Sequence, residues 1–255
     1  MNPAITNWDH LRVWVIGASS GIGAETAKLL LEKGARVALS ARRVDLLQAV
    51  ANCHPRALVA GLDIVDPASV QAAHAHILKE WQGLDIVLIV AGSYNEMRAD
   101  SFDLAIARNM LELNLHGPLN CLDVVLPGLL AQGHGSIGIV SSVAGYSGLP
   151  KALIYGPSKA ALINLCETLY LDLRPRGIGV YMINPGFVDT ALTAGNDFPM
   201  PALMKTPDAA REIVRGMERG DFHIHFPKRL SNVLRILRLL PYRLYFWIIH
   251  KGTGL

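Results

Sequence analysis

Residues Arg12 to Gly23 read RVWVIGASSGIG. Arg12 to Ile16 is a strand-length run of mostly β-branched and aromatic residues. A glycine-punctuated turn follows, and a helical pattern then continues to about Lys33. A strand, a tight glycine turn and a helix N-terminus together make an anion site: small residues let backbone N–H groups approach a phosphate, and the helix dipole favours its charge. Gly17, Gly21 and Gly23 are spaced by three residues and then one, unlike the G-x-G-x-x-G of the long dinucleotide fingerprint. No Gly-Lys-Ser/Thr follows, which argues against a nucleotide-hydrolysing P-loop. A plain tight turn is the alternative reading.

Outward from this stretch the same alternation recurs. Arg36 to Ala41 reads as a second strand, ending in Arg42 and Arg43. In a mononucleotide-binding unit this end faces the adenosine ribose, where an acidic residue takes the 2′-hydroxyl and an arginine the 2′-phosphate. Arg42 therefore points to NADP, with NAD second; a solvated surface pair is the alternative. A helix over Asp45 to Cys53 and a strand over Ala57 to Leu62 precede Asp63. Asp66 and Pro67 supply an N-cap and a first-turn proline for a helix to about Trp81. Asp85 to Ala91 is apolar after its first residue, as a strand covered on both faces must be. Asp103 to Gln132 reads as helix interrupted between Asn114 and Pro118. Pro118 lacks an N–H to return to the carbonyl of Asn114, which leaves that oxygen free to hold a water or another donor; a simple kink is the alternative.

Ile139 to Leu162, IVSSVAGYSGLPKALIYGPSKAAL, carries the chemistry. A strand ends at Ser141 and Ser142, a Gly/Pro-rich loop follows, and a helix opens at Tyr155. Tyr155 and Lys159, four apart, share one helix face. A neighbouring ammonium favours phenolate, so Tyr155 is expected to have a lowered pKa and to act as a general acid/base, with Ser142 hydrogen-bonding the same substrate oxygen. A sixth strand, Gly179 to Ile183, ends in Asn184, Pro185 and Gly186. Such alternation predicts one α/β domain, a doubly wound Rossmann-type parallel sheet with helices on both faces. Ligands bind beyond the carboxyl ends of such strands, where Gly17, Arg42, Asp63, Gly92, Ser142 and Pro185 all fall.

The chain has 255 residues, 51% hydrophobic, enough for one large core. Phe222 to Leu255 holds six Lys/Arg and no Asp or Glu, which leaves residues 1–221 with 18 basic and 21 acidic groups, net −3. That balance gives no reason to expect nucleic acid as a partner. Cys53, Cys121 and Cys166 lack metal-ligand spacing and read as buried thiols in a reducing compartment. His223 and His225 alternate along a strand and read as structural rather than as metal ligands. The N-terminus lacks a secretory pattern, so a cytoplasmic location is expected.

With these motifs in order, the chain from Arg12 to about Phe226 resembles the short-chain dehydrogenase/reductase family of Tyr-x-x-x-Lys type. The resemblance implies Tyr155 as catalytic acid/base and Lys159 as the residue that lowers its pKa and binds the nicotinamide ribose. It further implies Ser142 orienting the substrate carbonyl and Asn114 holding a relay water. Cofactor contacts are implied at Gly17, Ser19, Ser20, Gly21, Ile22 and Gly23, and at Arg42. Asp63 matches an adenine contact, with Ile64 beside it. Ala91, Gly92, Pro185 and Gly186 complete the cofactor set, with Val188 and Thr190 near the nicotinamide carboxamide. Ile16, Ile89 and Val90 depart from the family, which places polar residues there; apolar packing is expected to replace that polar tie.

Leu192, Phe198, Met200, Leu203 and Met204 suggest an apolar lid and a lipophilic carbonyl or alcohol as substrate. After Pro227 the chain becomes basic and amphipathic, dividing it into a catalytic domain, 1–227, and a C-terminal segment, 228–255. Leu230, Val233, Leu234, Leu237 and Leu240 lie on one helical face and Arg235 and Arg238 on the other. The segment, through 228–251, packs on its own domain, on a second subunit in a homo-oligomer, or peripherally on a membrane. The chain reads as an NADP-dependent oxidoreductase acting on a carbonyl/secondary-alcohol pair. The alternatives are a catalytically idle cofactor-sensing scaffold and an acyl-carrier-linked 3-ketoacyl reductase.

Overall fold

The computed structural model describes residues 1–195 and 200–253. Seven parallel strands form one sheet in the order β3-β2-β1-β4-β5-β6-β7. They are β1 (Arg12–Ile16), β2 (Arg36–Ser40), β3 (Ala57–Val59), β4 (Ile86–Ile89), β5 (Gly135–Val140), β6 (Ile178–Pro185) and β7 (His223–Phe226). The reversal of strand order beside β1 opens a crevice at the carboxyl ends of β1 and β4.

Side chains alternate across this sheet as the strand period requires. Trp14, Ile16, Val87 and Ile89 enter one apolar core, while Val13, Val15, Ile86 and Leu88 enter the other. Helices cover both faces. The first layer is built by α3 (Pro67–Trp81), α5 (Gly117–Gln132) and α6 (Tyr155–Leu173), and the second by α1 (Gly21–Glu32), α2 (Val44–Ala51) and α7 (Thr206–Glu218). The doubly wound fold expected from the sequence is thus the fold observed.

Local signals account for the helix boundaries. Asp66 accepts a hydrogen bond from the Ala68 N–H, and Pro67 occupies the first turn of α3. Asp103 caps α4 (Leu104–Leu111) by accepting from the Ile106 N–H. Between α4 and α5 the helix does not simply kink. Glu112–His116 forms a π-turn, in which the Gly117 N–H reaches the Glu112 carbonyl five residues back. The missing N–H of Pro118 is accommodated in this widened register. At the sheet's far end, Arg12 clamps β1 to β4 through a bidentate pair with Asp85 at 2.9 and 2.7 Å.

Several expectations are corrected. Cys53 is exposed, one residue past the left-handed Asn52 that ends α2, whereas Cys121 and Cys166 are buried and burial pushes both thiols up to about 12. Strand β3 is three residues long and stops at Val59, not Leu62. No helix was expected at α7, whose buried face includes the small residues Ala209, Ala210 and Gly216. The C-terminal segment folds as α8 (Lys228–Leu237) and α9 (Tyr242–Thr253). Val233 does not share the packed face of α8 but is 54% exposed. Among the described residues no helix is long and apolar enough to cross a membrane.

Candidate active site

The carboxyl ends of β1, β2, β4, β5 and β6 surround one cleft of about 1060 Å3. At its cofactor end the glycine turn is shaped by close approach. Gly17 has φ +96°, and a Cβ there would sit 2.6 Å from the Ala91 nitrogen, so the turn touches the end of β4 only as glycine. A Cβ on Gly23 would collide with the Gly17 carbonyl; its absence lets α1 start directly against the turn. Ser20, the extended N-cap residue of α1, makes no side-chain cap hydrogen bond, so the first-turn N–H groups are left to face an anion. Arg42 and Arg43 line the same end, and Arg43 donates to the Ser19 and Ser20 hydroxyls at 3.4 and 3.5 Å. Ser19, Ser20, Gly21, Ile22, Asp63 and Ile64 lie on this wall. These features fit a dinucleotide pyrophosphate and an adenosine 2′-phosphate.

At the other end, Ser142, Tyr155 and Lys159 converge. The two serines of the pair divide their tasks. Ser141 donates to the Lys159 carbonyl at 2.7 Å and ties β5 to α6, while Ser142 caps a turn by accepting from the Ala144 N–H at 3.1 Å. Ser142 also donates to the Pro185 carbonyl at 3.5 Å. Lys159, buried, donates from Nζ to the Val140 carbonyl at 3.0 Å, and burial draws its pKa down to about 8. The Tyr155 pKa moves opposite to expectation: burial raises it, and only the Ser142 hydroxyl pulls it back. The ammonium lies 5.8 Å from the phenol ring centroid and spends its hydrogen bond on β5, so burial dominates.

Asn114 is fully buried behind the cleft. Its side chain accepts from the Ser93 N–H at 2.7 Å and donates to the Ser93 carbonyl at 2.9 Å and to Ser158 at 3.2 Å. It thereby fastens the loop after β4 to α6. Gly92 permits this: a Cβ there would sit 3.3 Å from both the Asn114 Oδ1 and the Lys159 Nζ. Ala91, Gly92, Pro185, Gly186, Val188 and Thr190 line the cleft between its two ends.

Other groups line or surround the site beyond the expected catalytic and cofactor residues. Tyr94 packs edge-on against Tyr155, with centroids 5.1 Å apart; it lies two residues beyond Gly92, where a sheet of this type binds ligands. Leu230, Leu234 and Leu237 of α8 and Ile248 and Ile249 of α9 wall the substrate end. Tyr245, buried in α9, fastens that wall by donating to the Gly148 carbonyl at 2.6 Å. Of the expected lid, Leu192 and Met200 line the cleft, but Leu203 is 47% exposed and Met204 packs with the α1/α7 core. Phe198 lies outside the described residues. His223 and His225 are structural in placement. The Tyr146 hydroxyl and the His223 Nε2 share a hydrogen bond of 2.8 Å, and His225 bonds Ser231 at 2.7 Å, which docks α8 on β7.

A family model described as short chain dehydrogenase matches residues 12–198. An uncharacterized oxidoreductase of Myxococcus xanthus is 36% identical over 239 residues, 91% of this chain and 93% of the relative. One from Staphylococcus epidermidis is 30% identical over 201 residues, 78% and 87% of the two chains. Among solved structures, a short chain dehydrogenase from Burkholderia cenocepacia in complex with NADP superposes with a TM-score of 0.84 at 23% identity, covering 95% of this chain and 99% of that one. A short-chain dehydrogenase from Streptomyces avermitilis gives 0.83 at 24% identity, covering 96% and 98%.

Proposed function

The chain belongs to the short-chain dehydrogenase family, an NAD(P)-dependent oxidoreductase, and from that premise we propose that it is an NADPH-dependent reductase of lipophilic ketones or aldehydes. The observation that carries this reading is the convergence of Ser142, Tyr155 and Lys159 at the base of a cleft whose outer walls are aliphatic. A nicotinamide held beside Tyr155 and Lys159 would supply hydride exchange with the carbonyl carbon. The chain's own residues handle the oxygen. Ser142 donates a hydrogen bond that holds the carbonyl oxygen, and the Tyr155 hydroxyl protonates it as the alkoxide forms. The ammonium of Lys159 offsets the phenolate left behind, and Asn114 keeps the loop after β4 and α6 in register. Leu192, Met200, Leu234 and Ile249 give the substrate an apolar environment that excludes water. The reaction is placed in a reducing, cytoplasmic setting, where an NADPH pool drives reduction.

Preference for NADP is supported by Arg42 and Arg43, which line the cleft just beyond β2, the strand end at which a 2′-phosphate is expected in folds of this type. The test is titration of the purified protein with NADPH and with NADH, followed by nicotinamide fluorescence. NADPH is expected to bind at least about tenfold more tightly, as one lost charge-assisted contact predicts. Arg42→Ala should remove most of the difference by weakening NADPH binding more than NADH binding. Equal affinity of the unmodified protein for both would overturn the NADP assignment.

A further inference from the structure

Helices α8 and α9 present two contrasting sides. Their inner side walls the substrate end of the cleft through Leu230, Leu234, Leu237, Ile248 and Ile249. Their outer side and the turn joining them expose large apolar and aromatic groups: Leu239 of the turn at 82%, Tyr242 at 78%, with Ile236, Phe246, Trp247 and Val233 all more than half exposed. Interleaved with them are the exposed cations Arg229, Arg238, Arg243 and Lys251, whereas Arg235 turns back to His225 of β7 at 3.1 Å. The whole of Phe222–Leu255 contains no Asp or Glu. Lys251 sits over the Trp247 ring at 4.6 Å, an aromatic and a cation held side by side.

We propose that the outer face of α8 and α9 docks on the surface of an anionic lipid bilayer. Bulky apolar side chains alternating with arginines, without acidic groups, match an interface that is negatively charged at the headgroups and apolar beneath them. The helices, of ten and twelve residues, are too short to span a bilayer and suited to lie along it. A two-fold contact between copies through this face would set its cations against themselves. An acidic protein partner would match the charge but leaves the exposed aliphatic and aromatic groups unexplained. The consequence for function rests on the reductase reading. The docked face and the cleft wall belong to the same two helices, so docking would bring the cleft to within about one helix diameter, ~10 Å, of the bilayer surface where lipophilic carbonyls concentrate.

The test uses full-length protein sedimented with vesicles of phosphatidylcholine alone and of phosphatidylcholine with phosphatidylglycerol. The protein is expected to pellet with the anionic vesicles, much less with the neutral ones, and more weakly as salt is raised. Leu239→Glu and Phe246→Glu, both outside the cleft wall, are each expected to reduce partitioning about tenfold or more while NADPH binding is retained. Protein that stays in the supernatant with anionic vesicles, or Glu variants that partition like the parent, would overturn the proposal. So would two other results: an oligomer that Leu239→Glu dissociates in the absence of vesicle binding, or retention by an acidic carrier protein in place of vesicles. Sedimentation requires no turnover, so its failure leaves the reductase reading standing, and failure of that reading leaves the docking result standing.

Discussion

Tyr155 holds its proton more firmly than a free phenol, because burial raises its pKa and the Ser142 hydroxyl offsets this only in part. Lys159 moves the other way, its pKa lowered by burial to about 8, so its charge is lost at lower pH than that of an ordinary lysine. Carbonyl reduction needs the phenol as acid and the ammonium beside it, both present below about pH 8. Reduction is therefore expected to be fastest on the neutral side of that value and to fall as pH rises through it, while alcohol oxidation, which needs the base form of Tyr155, rises with pH. Rate profiles in both directions test this; a reduction rate that climbs into alkaline solution would contradict it. The pair Tyr155 and Lys159 was legible in the sequence because four-residue spacing fixes a shared helix face. The sign of the pKa shift was not, since it depends on how completely the fold covers the phenol and on the Val140 carbonyl that engages Lys159. Arg43 was noted beside Arg42, but its reach to Ser19 and Ser20 depends on how the second strand's end lies against the glycine turn.

The central strands were readable because they are apolar on both faces, and the β1 and β4 pair shows what ties the sheet's centre together. Ile16 and Ile89 are each 1% exposed and lie in the same core, and the Val90 and Ala91 N–H groups both donate to the Ile16 carbonyl, at 2.8 and 3.0 Å. Backbone hydrogen bonds and apolar packing thus join the two strands. Ile16→Thr would put a hydroxyl among aliphatic neighbours and remove apolar volume, and is expected to destabilise the protein by about 1–3 kcal/mol. Urea unfolding measures this, and an equally or more stable variant would refute apolar packing as the tie. Helix α7 buries Ile213, Val214 and Met217 beside Ala209, Ala210 and Gly216, a periodic face that the sequence does carry, whereas the widened turn before α5 reflects a helical register that the position of Pro118 alone does not specify.

The assembled molecule joins a cofactor half, recognisable from the turn beginning at Gly17, to a substrate half closed by the chain's last two helices. The cofactor half was legible because strand, turn and helix are contiguous, and short-range geometry decides them. The substrate wall was not, because Leu230, Leu234, Ile248 and Ile249 come from a segment whose amphipathic pattern suits packing, assembly or a membrane equally well; only its fastening through Tyr245 and Ser231 shows which side turns inward. At this scale the account stands or falls on one proton. The decisive measurement is turnover of NADPH with a panel of lipophilic ketones and aldehydes by the parent protein and by Tyr155→Phe, with NADPH affinity determined for both. Loss of the general acid predicts turnover at least about 100-fold slower with cofactor affinity preserved. A Tyr155→Phe protein that reduces the same carbonyls at near the parent rate would contradict the account.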